Sequence, residues 1–248
     1  MAWRRGRISR TQGRRAMKTE TAGAETAALP TLNDTPFQQE RADMLVRFLP
    51  RRSIGAEIGV FRGEFSATIL RALEPTELHL VDPWDIAYGE KYPDWGDYTQ
   101  RGQLTTARAL AETVSRTTSS FKTKVIVAKD FSLPWLEKAP DAYFDWIYID
   151  STHTYEDTAR ELALGARKVK RDGILCGHDF EIDRRAYHHG VFQAVTEFIR
   201  KGEFELIWAG PQQQWALRRS PEPAPEIAPK PQKIGWRRLL PRGNATRG

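Results

Sequence analysis

The chain contains a single cysteine among 248 residues, Cys176, and it lies inside an apolar run. One thiol excludes a disulfide framework and a thiolate zinc cluster, and its setting predicts a buried, inert side chain. No apolar run approaches the length of a membrane span, and the arginine-rich start is followed by no apolar segment of a secretory signal, so a cytoplasmic location is expected. Two phosphate-cradling motifs are also missing. There is no Gly-x-Gly-x-x-Gly after a strand and no Gly-Lys-Ser/Thr, which argues against dinucleotide and P-loop nucleotide sites. No internal repeat is present.

The net charge of +6 hides an uneven distribution. Residues 1–19 carry +7 with no acid and residues 220–248 carry +4, leaving −5 for 20–219. The basic character therefore belongs to the ends. A mildly acidic body is no place for a nucleic-acid groove, so contacts to nucleic acid are expected only as nonspecific contacts of the tails. The organisation this predicts is a basic, disordered tail at 1–35, one catalytic domain at 36–219 and a proline-rich basic tail at 220–248.

Between the tails, strand and helix signals alternate. Helical patterns fall at about 36–49, 64–73, 100–117, 132–138, 155–169 and 191–201. Strand patterns fall at 54–60, 77–82, 124–128, 145–150, 173–178, 204–209 and 213–218. That alternation predicts an α/β fold: a Rossmann-like, doubly wound, mainly parallel seven-stranded sheet, with the last two strands forming a hairpin that adds an antiparallel strand.

Four acids end four successive strands: Glu57, Asp82, Asp130 and Asp150. Parallel strands bring their carboxyl ends to one edge of the sheet, where open α/β folds bind ligands. Glu57 opens an acid-x-Gly-x-x-x-Gly loop with Gly59, Phe61 and Gly63. A carboxylate beneath that loop repels a pyrophosphate and suits a cationic ammonium. Asp82 has the position of an acid that accepts ribose hydroxyls, and Asp130 with Phe131 can bracket a base. The densest signal is 145–180, where one strand ends at Asp150 with His153 three residues on and the next ends at His178-Asp179. These four side chains are expected to converge. Each also has a structural reading, as a cap or a loop lock. The adjacent His188-His189 is read as part of a polar loop, because neighbouring residues point apart. The aromatics Trp84, Tyr88, Tyr92, Trp95 and Tyr98, interleaved with acids, predict a roof over an acceptor such as a sugar or hydroxylated ring, or a mobile lid over the cofactor.

The segments GAEIGVFRGEFS, LHLVDPWD, VIVAKDFS, FDWIYIDSTHTYEDTARELA and RDGILCGHDF resemble class I S-adenosylmethionine-dependent methyltransferases, specifically the small-molecule group called methyltransferase family 24. The resemblance spans about 50–210 and is most specific in the IDxxHxYE and GxxxGHD segments. It implies S-adenosylmethionine as cofactor, with Glu57 and Gly59 at its methionyl part, Asp82 at the ribose, Asp130 and Phe131 at the adenine, and Phe61, Gly63 and Asp150 also lining the cofactor site. It implies a small-molecule acceptor, with a sugar or secondary-metabolite hydroxyl favoured. Some relatives bind a divalent ion between these strand ends, which makes Mg2+ a candidate second cofactor held by Asp150, His178 and Asp179. A histidine at neutral pH can accept the proton of an alcohol, so His153, with His178 second, is the candidate base. Three other readings stand beside this one. They are a nicotinamide-dependent oxidoreductase, disfavoured by the glycine spacing; a non-enzymatic, nucleic-acid-associated protein acting through its tails; and an iron site of His153, His178 and Asp179.

Overall fold

A computed structural model of the chain describes residues 36–118 and 121–221; the tail expected at 1–35 and all but the first two residues of the tail expected at 220–248 lie outside the described residues. Seven strands form one sheet: β1 (Ile54–Ile58), β2 (Glu77–Asp82), β3 (Lys124–Lys129), β4 (Phe144–Ile149), β5 (Val169–Gly177), β6 (Phe204–Gly210) and β7 (Gln214–Arg219). Their order is β3-β2-β1-β4-β5-β7-β6. All pairs from β3 to β5 are parallel, and β7 runs antiparallel to both β5 and β6. The expected fold class is therefore the observed one, including the reversed hairpin.

The helices are α1 (Pro36–Phe48), α2 (Glu64–Leu73), a short α3 (Asp85–Tyr88), α4 (Thr106–Thr118), α5 (Ser132–Lys138), α6 (Tyr155–Lys168) and α7 (His189–Ile199). They cover both faces because the central strands are apolar on both sides. Along β4, Trp146 and Tyr148 join one buried cluster with Leu45, Phe65, Ile69 and Ala109 from α1, α2 and α4. Phe144, Ile147 and Ile149 join the opposite cluster with Leu136, Leu162 and Val195 from α5, α6 and α7. Residues 146–149 thus show the period-2 side-chain alternation of a strand with two covered faces, and Phe144 departs from it across a shift in register between Phe144 and Trp146. Cys176 is fully buried within it, and burial pushes its thiol up, away from the reactive form.

Two boundaries differ from the sequence pattern by more than two residues. The helix expected from residue 100 begins at Thr106, because Gln100, Arg101 and Gly102 all have positive φ, which a right-handed helix does not admit. β5 begins at Val169 rather than 173, its polar start pairing with Phe144 before a shift in register. By contrast α6 starts where its local chemistry says it must. Thr154 accepts a hydrogen bond from the Asp157 backbone N–H at 3.2 Å and caps the helix.

The strand order reverses between β1 and β4. In an open parallel sheet the loops diverge there to opposite faces and leave a crevice at the carboxyl ends. The loops after β1 and β4 meet at that point. Gly59 has φ +87°, and a Cβ on it would lie 1.8 Å from the Asp150 carbonyl oxygen. Glycine is required at 59 because the two loops touch through backbone.

Candidate active site

The β1 and β2 ends build the left wall of this crevice. Asp82 is 8% exposed, and its Oδ2 accepts backbone N–H bonds from Val60 (3.0 Å) and Phe61 (2.9 Å), while Oδ1 accepts from Trp84 (2.9 Å). Burial pushes its carboxyl up, against the three backbone bonds that favour its charged form. Asp82 thus clamps the glycine loop in shape. Trp84 Nε1 donates to the Phe61 carbonyl at 2.9 Å and closes the same loop from the other side. Gly63 has φ +70°, and a Cβ there would meet Thr113 Cα at 2.8 Å, so α2 starts tight against α4.

Glu57 lies deeper. It is 1% exposed, and Ser66 Oγ donates to it at 2.5 Å. Burial is the main influence, and it raises the carboxyl to about 8, so Glu57 is neutral at pH 7 in the ligand-free protein. Asp130 and Phe131 stand farther out, at the end of the edge strand β3. Asp130 pairs with Lys138 (2.9 Å) and accepts from the Phe131 N–H (2.9 Å), and Phe131 is exposed.

The roof is more ordered than a plain loop. Residues 83–105 include α3, a turn of 3-10 helix at Gly96–Thr99 and a bridge between Lys91 and Thr105. Trp84 and Tyr92 are buried in the core, whereas Tyr88, Trp95 and Tyr98 keep exposed faces. Tyr98 stacks on Phe61, with ring centroids 4.3 Å apart and planes at 20°, so this segment reaches onto the glycine loop.

The right wall is built by β4 and β5, and here the expected convergence is present. His153 Nε2 lies 2.9 Å from Asp179 Oδ2 and 3.3 Å from Asp150 Oδ1. His178 Nδ1 lies 3.1 Å from Asp179 Oδ2 and 4.0 Å from Asp150 Oδ1. His153 and Asp179 have φ of +62° and +60°, a left-handed backbone uncommon for residues with a Cβ. Burial opposes a charge on His153, but the hydrogen bonds and charges of the two carboxylates outweigh it and raise the imidazole to about 10. Burial likewise works against charge on Asp179 and Asp150. For Asp179, hydrogen bonds from His153 and His178 reverse that and hold it well below the usual carboxylate range. For Asp150, the His153 hydrogen bond and the Arg41 charge lower it.

Two members of the cluster are absent from the sequence reading. Arg41 of α1 donates from Nη2 to Asp150 Oδ2 (3.0 Å) and to the Tyr148 hydroxyl (2.9 Å), with its guanidinium 3.6 Å over the Phe65 ring. Its spacing was the available signal. Arg41, Met44, Leu45 and Phe48 share one helical face at i, i+3, i+4 and i+7, which places an arginine in a buried stripe. The second is His188, read from sequence as part of a polar loop. It ends the loop before α7 and brings Nδ1 to 3.3 Å from Asp179 Oδ1, with its ring 4.4 Å from that of His153. Neighbouring residues do point apart: His189 turns away and its Nδ1 meets the Glu181 carbonyl at 3.0 Å. Gly190 is the signal for this contact. A Cβ on it would lie 2.6 Å from Tyr155 N and 2.9 Å from the His153 carbonyl, so only glycine lets α7 begin against the His153 loop.

The model of a family described as a methyltransferase domain matches residues 56–180, which include both walls of the crevice. Among solved structures, a protein of Corynebacterium glutamicum is similar over 78% of this chain and 84% of its own, at 15% identity and a TM-score of 0.51. An O-methyltransferase of Bacillus cereus, solved in complex with SAH, is similar over 77% of this chain and 84% of its own, also at 15% identity and a TM-score of 0.51. Likeness at such identities establishes the shared fold. None of the curated proteins matches the chain.

Proposed function

This chain belongs to the methyltransferase-domain family matched over residues 56–180, an S-adenosylmethionine-dependent family, and we propose that it methylates a small-molecule hydroxyl, such as one on a sugar or secondary metabolite. The observation that carries the reading is the seating of the Gly59 turn on the Asp150 carbonyl. It puts a rigid glycine loop and a proton-handling cluster on the two sides of one crevice at the switch point of the sheet.

On the cofactor side, Gly59, Phe61 and Gly63 shape the wall for the methionyl part. Glu57 lies beneath it, and an ammonium nearby favours its ionised form. Asp82 uses three of about four lone-pair sites on the backbone N–H groups of Val60, Phe61 and Trp84 and offers the remainder to ribose hydroxyls. Asp130 and Phe131 flank the adenine. The sulfonium cofactor supplies both the electrophilic methyl group and its leaving group. The chain's own task is then alignment of the acceptor and removal of its proton.

The base is assigned to His178. In the tautomer that donates from Nδ1 to Asp179, 3.1 Å away, its Nε2 carries the lone pair that takes the proton. His153 holds its own proton at neutral pH between two carboxylates, which suits it to orienting Asp150 and Asp179. Magnesium is a poor match for this donor set. Asp150 is already engaged by Arg41, and the third donor, His178, is a nitrogen where magnesium demands oxygen. No step here uses it. The exposed rings of Tyr88, Trp95 and Tyr98 offer stacking faces to the acceptor.

Isothermal titration of the purified chain with S-adenosylmethionine tests the reading. One saturable site is expected, weakened about tenfold or more by Asp82→Ala, which removes the loop clamp together with the ribose acceptor. Absence of saturable binding would overturn the cofactor assignment. Retained affinity in Asp82→Ala would remove Asp82 from the site.

A further inference from the structure

Three of the five histidines of the chain come together on one carboxylate, Asp179, and two of them reach it from segments far apart in sequence. We infer that His153, Asp179 and His188 form a binding site for one divalent first-row transition-metal ion, of the zinc, iron, nickel or cobalt class rather than magnesium. The inference rests on the placement of these side chains and not on the identity of the methyl acceptor.

The distances have the scale of a coordination sphere. Metal bonds of about 2.1 Å hold neighbouring ligand atoms about 3.0–3.4 Å apart in octahedral or tetrahedral arrangements. His153 Nε2 is 2.9 Å from Asp179 Oδ2, and His188 Nδ1 is 3.3 Å from Asp179 Oδ1. The ion would displace the proton that His153 otherwise holds at neutral pH. One donor atom from each of the three residues lies within 4.8 Å of the others. His188 Nδ1 is sealed from solvent and makes no hydrogen bond, although it lies 3.3 Å from a carboxylate oxygen, because it is not aligned for one. A buried ring nitrogen in that state lacks a partner that an ion supplies.

The donor chemistry selects the metal class. Two imidazoles and one carboxylate suit zinc, iron, nickel or cobalt, and two nitrogens disfavour magnesium. Three protein ligands also leave positions open, as catalytic rather than structural sites do. Asp150 stays outside this set, held by Arg41 at 3.0 Å. The three ligands come from three segments: the loop after β4, the end of β5 and the loop before α7. The contact at Gly190 fixes the first against the third. An ion held here would act as a Lewis acid on an acceptor oxygen that reached it.

The test uses the full-length, tag-free chain stripped with a chelator and then titrated with Co2+, followed by visible absorption, with metal content measured separately. One Co2+ per chain is expected, displaced by an equivalent of Zn2+ and retained in millimolar Mg2+. His153→Ala and His188→Ala should each weaken Co2+ binding tenfold or more, while the remote His79→Ala leaves it unchanged. His188 is more than a third exposed, so His188→Ala is the substitution that folding tolerates best, and its thermal melt confirms that it folds. No saturable Co2+ band, undiminished affinity in His188→Ala, or ready displacement by Mg2+ would each overturn the inference. Metal binding is read without cofactor. Failure of the S-adenosylmethionine titration with Co2+ binding intact would remove the proposed function and leave the metal site.

Discussion

The carboxylates on the two walls of the crevice are all largely enclosed by protein, yet they are in opposite states. Glu57, on the β1 side, meets a serine hydroxyl and is raised to about 8, so it is neutral at pH 7. Asp150 and Asp179, on the β4–β5 side, meet Arg41 and histidines and are held charged, below the usual range. Burial acts on all three in the same direction, so the partner decides the state. A neutral donor cannot repay the desolvation of a carboxylate, whereas a paired cation does. The walls differ in material as well. The left is shaped by backbone, through positive-φ glycines and amides clamped on Asp82, and the right by side chains gathered from α1, β4, β5 and the start of α7.

The change that should break the comparison altogether is at the point where the walls touch. Gly59→Ala forces a Cβ onto the Asp150 carbonyl at 1.8 Å and strains a φ of +87°. The expected loss is more than about 4 kcal/mol, or a fall in Tm of more than about 8 °C for a domain of this size, read by thermal and denaturant unfolding. A variant as stable as the parent would mean that the loops do not meet through Gly59.

Arg41→Ala should damage one wall alone. It leaves the Asp150 carboxylate and the Tyr148 hydroxyl without their arginine and empties the space over Phe65. A cost of about 2–4 kcal/mol is expected in denaturant unfolding. Arg41→Lys should recover only part of it, because an ammonium lacks the planar face that stacks on Phe65. Full recovery by lysine would reduce the role of Arg41 to charge.

The smallest effect sharpens the difference in charge state, through Glu57→Gln. A carboxyl whose folded value is raised from the ordinary 4.5 to about 8 contributes stability below pH 4.5, and loses it as pH rises through 8. Glutamine imitates the protonated form. The variant should therefore match the parent near pH 4.5 and gain on it steadily up to about pH 8, reaching an advantage on the order of a few kcal/mol by pH 9. Melting curves across pH 4.5–9 measure this, and an unchanging difference would show that Glu57 keeps its charge throughout.

Much of this architecture was legible before any coordinates. The seven-stranded order of elements followed from alternating periodicity, and α2, β2 and α5 begin and end where their patterns do. The convergence of Asp150, His153, His178 and Asp179 followed from parallel topology, since strand ends separated by one crossover helix must share an edge. The start of α4 was misplaced because positive φ at Gln100 and Arg101 is a tertiary imposition that neither residue type advertises.

What the linear chain determined by itself is whatever depends on near neighbours and on period. That covers the fold class, the strand ends where acids accumulate, the cap at Thr154 and the glycine loop. Tertiary structure alone decided which acids are charged. That depends on an arginine 109 residues before Asp150 and a histidine 26 residues before Asp179, each brought within 2.9–3.0 Å. Coulomb interactions and desolvation act through space and are strong only at contact, so no spacing along the sequence encodes them. The glycines at 59 and 190, which let those contacts close, were visible as letters but not as contacts.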